Sequence, residues 1–443
     1  HSQKPTKRNK SKAGYRARGG DGILQSWTVG PLPIVNRLLE RMRLEEIRQP
    51  HLPPDDPRIE VPTVRCLLLL VRNVLLSREP IYGLGEWAER YAPDLLGLTQ
   101  RQLGQLNDDR VGRSLDRLFD ATTPQLLMDV VRQMVREFDL KLDELHNDST
   151  TVSFFGQYED AAQEDNRRGK PTAAVTYGHS KDHRPDLKQL LYILTVTDDG
   201  GVPVYFTTAS GNVTDDTTHQ ETWELLRQLT GRKDFLYVAD CKLATSKNLQ
   251  YIVNRGGRFI SLLPRTRKEN TDFRRRLVDA PDKVVWKHVK DILGKDDEII
   301  DRVKVCGESL QSKEGYRLHW YHSFRKQERD AASRQKSIER ALRELRELEQ
   351  RLKSPRTRFR QRPKVEEAVS EILRVTCSGA WVQVVTEAVE EEFYKQAKPG
   401  RPSKKTKYVR EVRERFQLSI TVDQSQVAAD QASDGMFPLI TSE

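Results

Sequence analysis

The sequence predicts a mixed α/β protein preceded by a helical domain. Three observations carry this. The hydrophobic period changes from helical to alternating near residue 143. An Asp-Asp-Gly-Gly tetrad at 198–201 joins two apolar extended runs, a strong hairpin signal. Short extended runs then alternate with helical ones as far as residue 263.

Before residue 143, Leu32, Val35, Leu38, Leu39 and Met42 recur at helical spacing. Further helices are expected over 63–76, 81–91, 110–119 and 123–138, with Pro53, Pro54 and Pro57 punctuating the first connection. From there the pattern reads as strands at 142–155, 190–197 and 202–208, a helix at 217–229, and a strand at 235–239 ending at Asp240. A helix at 246–254 and a strand at 259–263 follow. Three strands, helix, strand, helix, strand is a mixed layer, unlike a purely parallel doubly wound sheet. Beyond it, 327–352 is a long charged helix whose Ile338, Leu342, Leu345 and Leu348 form a packing seam. Residues 398–407 (KPGRPSKKTK) read as a basic linker, and 415–422 and 436–441 as extended runs. The organisation expected is therefore a disordered basic arm (1–22), a helical domain (23–142) and a mixed α/β core (143–264). An α+β insertion with the charged helix and linker (265–433) and a strand returning to the core (434–443) complete it.

Composition narrows the class. With 75 Lys and Arg against 65 Asp and Glu the net charge is +10, which suits a polyanionic partner and equally suits any soluble basic protein. The most apolar run, 66–76, is interrupted by Arg72 and Asn73 and is too short for a membrane span, so it reads as a buried helix. Cys66, Cys241, Cys306 and Cys377 lie far apart, which argues against a zinc knuckle or disulfide scaffold and fits a reducing cytoplasm. Trp87 and Trp223 read as core. His179 and His183 lack the partners a zinc site needs.

Two carboxylates stand out by position. Asp148 interrupts an apolar extended run and Asp240 follows a buried-looking strand. On neighbouring strands such residues can share hard divalent cations, Mg²⁺ or Mn²⁺. Two ions roughly 4 Å apart activate an attacking oxygen and stabilise a leaving one in phosphodiester chemistry. An Asp just after a strand is also a common turn former or cap, and spacing alone leaves both readings open.

Four segments occur in order: LHNDSTTVSFFGQY (145–158), GHSKDHRPDLKQL (178–190), GNVTDDTTH (211–219) and YVADCKLATSKNL (237–249). Together they resemble the catalytic core of bacterial insertion-sequence transposases of the DDE type, in the branch with a β-rich insertion before the third acid. VGPLPIVNRLLERM, EPIYGLGEWAERY, LNDDRVGRSLDRLFD and the closing DGMFPLITS resemble the flanking segments of that family. The resemblance implies an RNase H-like sheet with Asp148 on its first strand and Asp240 at the end of its fourth. It implies two Mg²⁺ (or Mn²⁺) ions, with a water or 3′-hydroxyl attacking the phosphodiester at the element's ends. Double-stranded DNA (terminal inverted repeats and target) and a homodimeric synaptic complex are the implied partners. The setting is the bacterial cytoplasm and nucleoid, with no membrane role. The third acid is expected in a Tyr-x2-Arg-x3-Glu-x6-Lys helix after the 434–441 strand. Tyr321 and Glu328 have the right spacing, but Phe324 and Gln335 replace the Arg and Lys, so Glu328 reads as a surface residue. The third carboxylate is therefore expected to be missing or supplied by another reading frame, leaving this chain a poor nuclease alone. The alternative is a non-catalytic remnant that binds element ends as an inhibitor; a third reading is a general RNase H-like nuclease.

DNA contacts are expected from Arg110, Arg113 and Arg117, spaced on one helix face, which otherwise pair with Asp108, Asp109 and Asp116. His183 and Arg184 sit in a polar loop before the second strand, beside the active site or simply in a capped turn. Arg401, Lys404 and Lys405 suit a narrow A·T minor groove or a solvated linker. Arg265, Arg267, Arg274, Arg275 and Arg276 could track phosphates, and Asp215, Asp216 and His219 read as helix caps.

Overall fold

The computed structural model describes residues 18–19, 22–23, 26–121, 123–182, 184–354, 357–397, 399–402 and 406–443. The chain divides into two compact units, His1–Val238 with Asn254–Gly257, and Ala239–Val253 with Arg258–Glu443.

The first unit opens with two short strands, β1 (Arg18–Gly19) and β2 (Gly22–Ile23), paired antiparallel. Most of the expected arm lies outside the described residues. Helices α1 (Leu32–Arg41), α2 (Leu44–Arg48), α3 (Thr63–Leu76), α4 (Leu84–Ala88), α5 (Gln100–Leu103), α6 (Asp108–Asp120) and α7 (Thr123–Phe138) follow. They enclose a core of Leu32, Leu69, Leu84, Trp87, Leu96 and Val111. Helix α3 explains why its apolar run is not a span. Arg72 is buried and donates to Asn36 Oδ1 at 2.8 Å, while Asn73 exchanges hydrogen bonds with the backbone of Glu79. These bonds hold both polar side chains inside the bundle. Among the described residues no helix is long and apolar enough to cross a membrane.

The sheet of this unit begins with β3 (Glu144–Phe154). A small unforeseen hairpin, β4 (Asp165–Arg167) and β5 (Lys170–Thr172), precedes β6 (Lys188–Thr197) and β7 (Pro203–Ser210). Strand β3 pairs antiparallel with β6, placing Asp148 opposite Leu194, and β6 pairs antiparallel with β7. The turn between them needs Gly200 (φ 80°) and Gly201 (φ 63°) in the left-handed region, as the tetrad predicts. Helix α8 (His219–Thr230) buries Trp223 against Phe235, and β8 (Leu236–Ala239) adjoins β3 in the hydrogen-bonded order β8-β3-β6-β7. The last residue of β8 opens the second unit.

The second unit contains α9 (Ser246–Val253), β9 (Arg258–Leu262), α10 (Lys268–Asp279), β10 (Trp286–Leu293), β11 (Ile299–Cys306), β12 (Leu310–Gln311) and β13 (Arg317–Ser323). After these come α11 (Phe324–Lys353), α12 (Arg362–Val375), β14 (Val382–Gln396), β15 (Tyr408–Val422), α13 (Gln424–Gln431) and β16 (Met436–Thr441). Its strands run β10-β11-β13-β16-β9. Strands β11 and β13 belong to the same sheet as β16, and Phe273 stacks on Trp320 at 3.9 Å in the core beneath it. Helices α11 and α12 and strands β14 and β15 share a core of Ile338, Leu345, Leu348, Val365, Val382 and Phe416. Strands β14 and β15 pair as a long antiparallel hairpin, and Ala397 N–H donates to Lys407 O at 2.9 Å beyond the last ladder pair. Each arm is 15 residues long.

Candidate metal centre and nucleic-acid contacts

Strand β3 alternates. Leu145, Asn147 and Thr151 are buried, while Glu144, His146 and Asp148 share the opposite, more accessible face. Asp148 is exposed, and its Oδ1 accepts from Ser149 N–H at 2.7 Å. Asp240 follows β8, is half-buried, and accepts from Lys242 N–H at 2.9 Å through Oδ1. Its carbonyl accepts from Ser261 Oγ at 2.6 Å, which fixes the strand end beside β9. Asp148 belongs to the first unit and Asp240 to the second. Among the described residues neither carboxylate forms an ion pair with Lys, Arg or His, so both keep oxygens for a hard cation.

The loop between β5 and β6 is held to β3 through Lys181. Its Nζ donates to Ser149 O and to Ser149 Oγ (2.7 Å) and pairs with Asp215 (2.9 Å). One side chain thus ties together segments from three of the four motifs. Asp215 is engaged with Lys181, and Thr218 rather than an Asp stands at the α8 N-terminus, where it makes no side-chain cap. His219 is buried, with Nδ1 3.0 Å from Tyr237 Oη. Two motif glycines have a backbone reason. A Cβ on Gly178 would lie 1.8 Å from Gly211 O, and one on Gly211 2.1 Å from Gln189 O.

A cluster that sequence reasoning missed lies at the start of β3. Glu144, His146 and Asp198 present ligand atoms all within 4.8 Å of one another. His146 Nε2 is 2.9 Å from Glu144 Oε1 and 3.7 Å from Asp198 Oδ1. Its signal was a Glu-x-His pair on one strand face, with an Asp one residue past the strand that pairs with it.

The expected DNA contacts separate. Arg110 is turned inward, donating to Val61 O and Thr63 Oγ1 at 2.9 Å each, and burial lowers its pKa. That guanidinium ties α6 to the start of α3. Arg117 donates to the carbonyls of Pro53 and Pro54 and lies 3.4 Å from Asp55. Arg113 is exposed. All three line a cleft of about 720 Å³ with Arg58 and Arg168. Arg184 is exposed and forms a bidentate pair with Asp186 at 2.8 and 2.7 Å, which raises its own pKa and lowers that of Asp186. Arg401 is exposed at the hairpin tip, whereas His183, Lys404 and Lys405 lie outside the described residues. The 265–276 cations are largely committed internally: Arg267 to Glu269 and Glu314, Arg274 to Asn270 and Ser433, Arg276 to Glu308. Glu328 is exposed on α11.

A family model described as a domain of unknown function (DUF4277) matches residues 24–132, the helical part of the first unit. No curated protein matches the chain. Among solved structures, a piggyBac transposase synaptic complex with hairpin DNA is similar at 8% identity and a TM-score of 0.29, over 66% of this chain and 59% of that one. The chain thus spans less than two thirds of that protein's length.

Proposed function

We propose that the chain carries the first two acids of a DDE-type transposase, an enzyme that cleaves and joins DNA at the ends of an insertion sequence, with the third acid to be supplied from elsewhere. The observation that carries this reading is where the four ordered motifs fall. Asp148 lies within β3, 178–190 runs into β6, 211–219 runs into α8, and Asp240 directly follows β8. Apart from the small β4–β5 hairpin, the order β3, β6, β7, α8, β8, α9, β9 supports an RNase H-like reading.

In this reading Asp148 and Asp240 are the metal-binding carboxylates. Their uncommitted oxygens suit Mg²⁺ or Mn²⁺, which prefer carboxylate and water. Bound ions supply activation of the attacking oxygen and stabilisation of the leaving one. Lys181 is a positioning residue that holds the motif loop against β3. Arg113, Arg184 and Arg401 contact the backbone of terminal-repeat and target DNA, and two copies synapse two ends.

The test is Mn²⁺- and Mg²⁺-dependent nicking of duplexes carrying the inverted repeats that flank the gene. Asp148→Asn and Asp240→Asn should each abolish it while leaving duplex binding intact. Nicking that survives both substitutions refutes the assignment. Repeat-specific binding by the wild-type chain with no nicking in either metal favours the non-catalytic reading.

A further inference from the structure

We propose that Glu144, His146 and Asp198 form a separate binding site for a transition-metal dication of the Zn²⁺ type. The inference does not rest on the transposase reading and uses neither Asp148 nor Asp240. Its basis is a mixed donor set on a rigid frame. Glu144 and His146 lie two residues apart on one face of β3. Asp198 follows the last residue of β6, whose Thr197 is in register with Leu145, and Asp198 N–H donates to Glu144 O at 3.2 Å. The backbone therefore fixes all three Cα positions.

The separations suit a small ion. Bonds of about 2.0–2.2 Å place the ligand atoms of a tetrahedral Zn²⁺ roughly 3.3–3.6 Å apart. The observed 2.9 and 3.7 Å straddle that range, and the third lies within 4.8 Å. Small side-chain rotations bring the atoms to bonding distance. The donor set decides the class of ion. An imidazole with two carboxylates favours Zn²⁺, Co²⁺ or Mn²⁺ over Mg²⁺, which seeks oxygen alone. Three protein ligands on an accessible edge leave a fourth position for water, the arrangement of an open zinc site.

The experiment titrates the full chain with Co²⁺ in excess Mg²⁺, reading ligand-field absorption, and repeats it with Zn²⁺ by calorimetry. One equivalent should bind to the wild type and equally to D148N and D240N. H146A and D198N, the latter at an exposed turn, should each weaken binding by more than about tenfold, or ~1.4 kcal/mol, with unchanged circular dichroism. No Co²⁺ or Zn²⁺ binding in excess Mg²⁺ overturns the proposal. So does a thiolate-to-cobalt charge-transfer band, retained affinity in H146A and D198N, or loss of the band in D148N. Failure of the Asp148–Asp240 assignment is read separately, in Mg²⁺-dependent nicking.

Discussion

Lys181 Nζ and Asp215 Oδ2 lie 2.9 Å apart, and the same ammonium reaches Ser149 Oγ at 2.7 Å. The pair joins the loop before β6 to β3 and to the approach of α8. Asp215 is mostly buried and Lys181 about one third exposed. Lys181→Met should therefore destabilise by about 1–2 kcal/mol, as loss of a charged hydrogen bond does, and lower nicking further than the stability change explains. Denaturant unfolding alongside nicking rates checks this; an unchanged nicking rate removes Lys181 from the site.

Gly178 and Gly211 cross where neither has room for a side chain. Gly178→Ala should cost about 1–3 kcal/mol from overpacking against backbone. Gly112→Ala, which meets open space on α6, should be neutral or stabilising. Thermal melts of the two variants measure the contrast.

Arg334 and Asp434, 100 residues apart, form a buried bidentate pair at 2.8 and 2.5 Å that ties α11 to the entry of β16. Arg334→Met should cost about 3–5 kcal/mol, because it strands the Asp434 carboxylate. Arg334→Met with Asp434→Leu should recover most of that loss. Urea denaturation of single and double variants tests the coupling.

Glu269 and Glu314 clasp Arg267. Hydrogen bonding to Arg267 holds Glu269 at about 2, against a usual 4.5. At Glu314 burial pushes upward, but the hydrogen bonds from Arg267, Ser246 and Ser312 outweigh it, again giving about 2. Both folded-state values are depressed, so the stabilisation is complete above pH 4.5 and is lost as pH falls from there towards 2. Unfolding free energies over that window should flatten in Glu269→Gln; an unaltered slope contradicts the assignment.

Arg113→Ala should reduce the salt slope of duplex binding by roughly one and leave stability within about 0.5 kcal/mol. Arg110→Ala should do the reverse, destabilising the helical bundle, because its guanidinium is committed to Val61 and Thr63. Salt-dependent binding isotherms with parallel melts separate the two.

The sequence alone determined the alternation of strands and helices from 142 to 263, the turn at Gly200 and Gly201, and the burial of Trp87 and Trp223. These follow from local periodicity and backbone preference, which neighbouring residues set by themselves. It also located Asp148 within its strand and Asp240 at the end of another. Only the tertiary structure decided that Arg110 points inward, that 382–396 and 408–422 pair as a long hairpin, and that β10, β11 and β13 join the strand order of β16. Strand β10 is charged and almost wholly exposed, so no alternation marks it. The Glu144–His146–Asp198 cluster likewise depends on the β3–β6 register, a long-range pairing that no local pattern encodes.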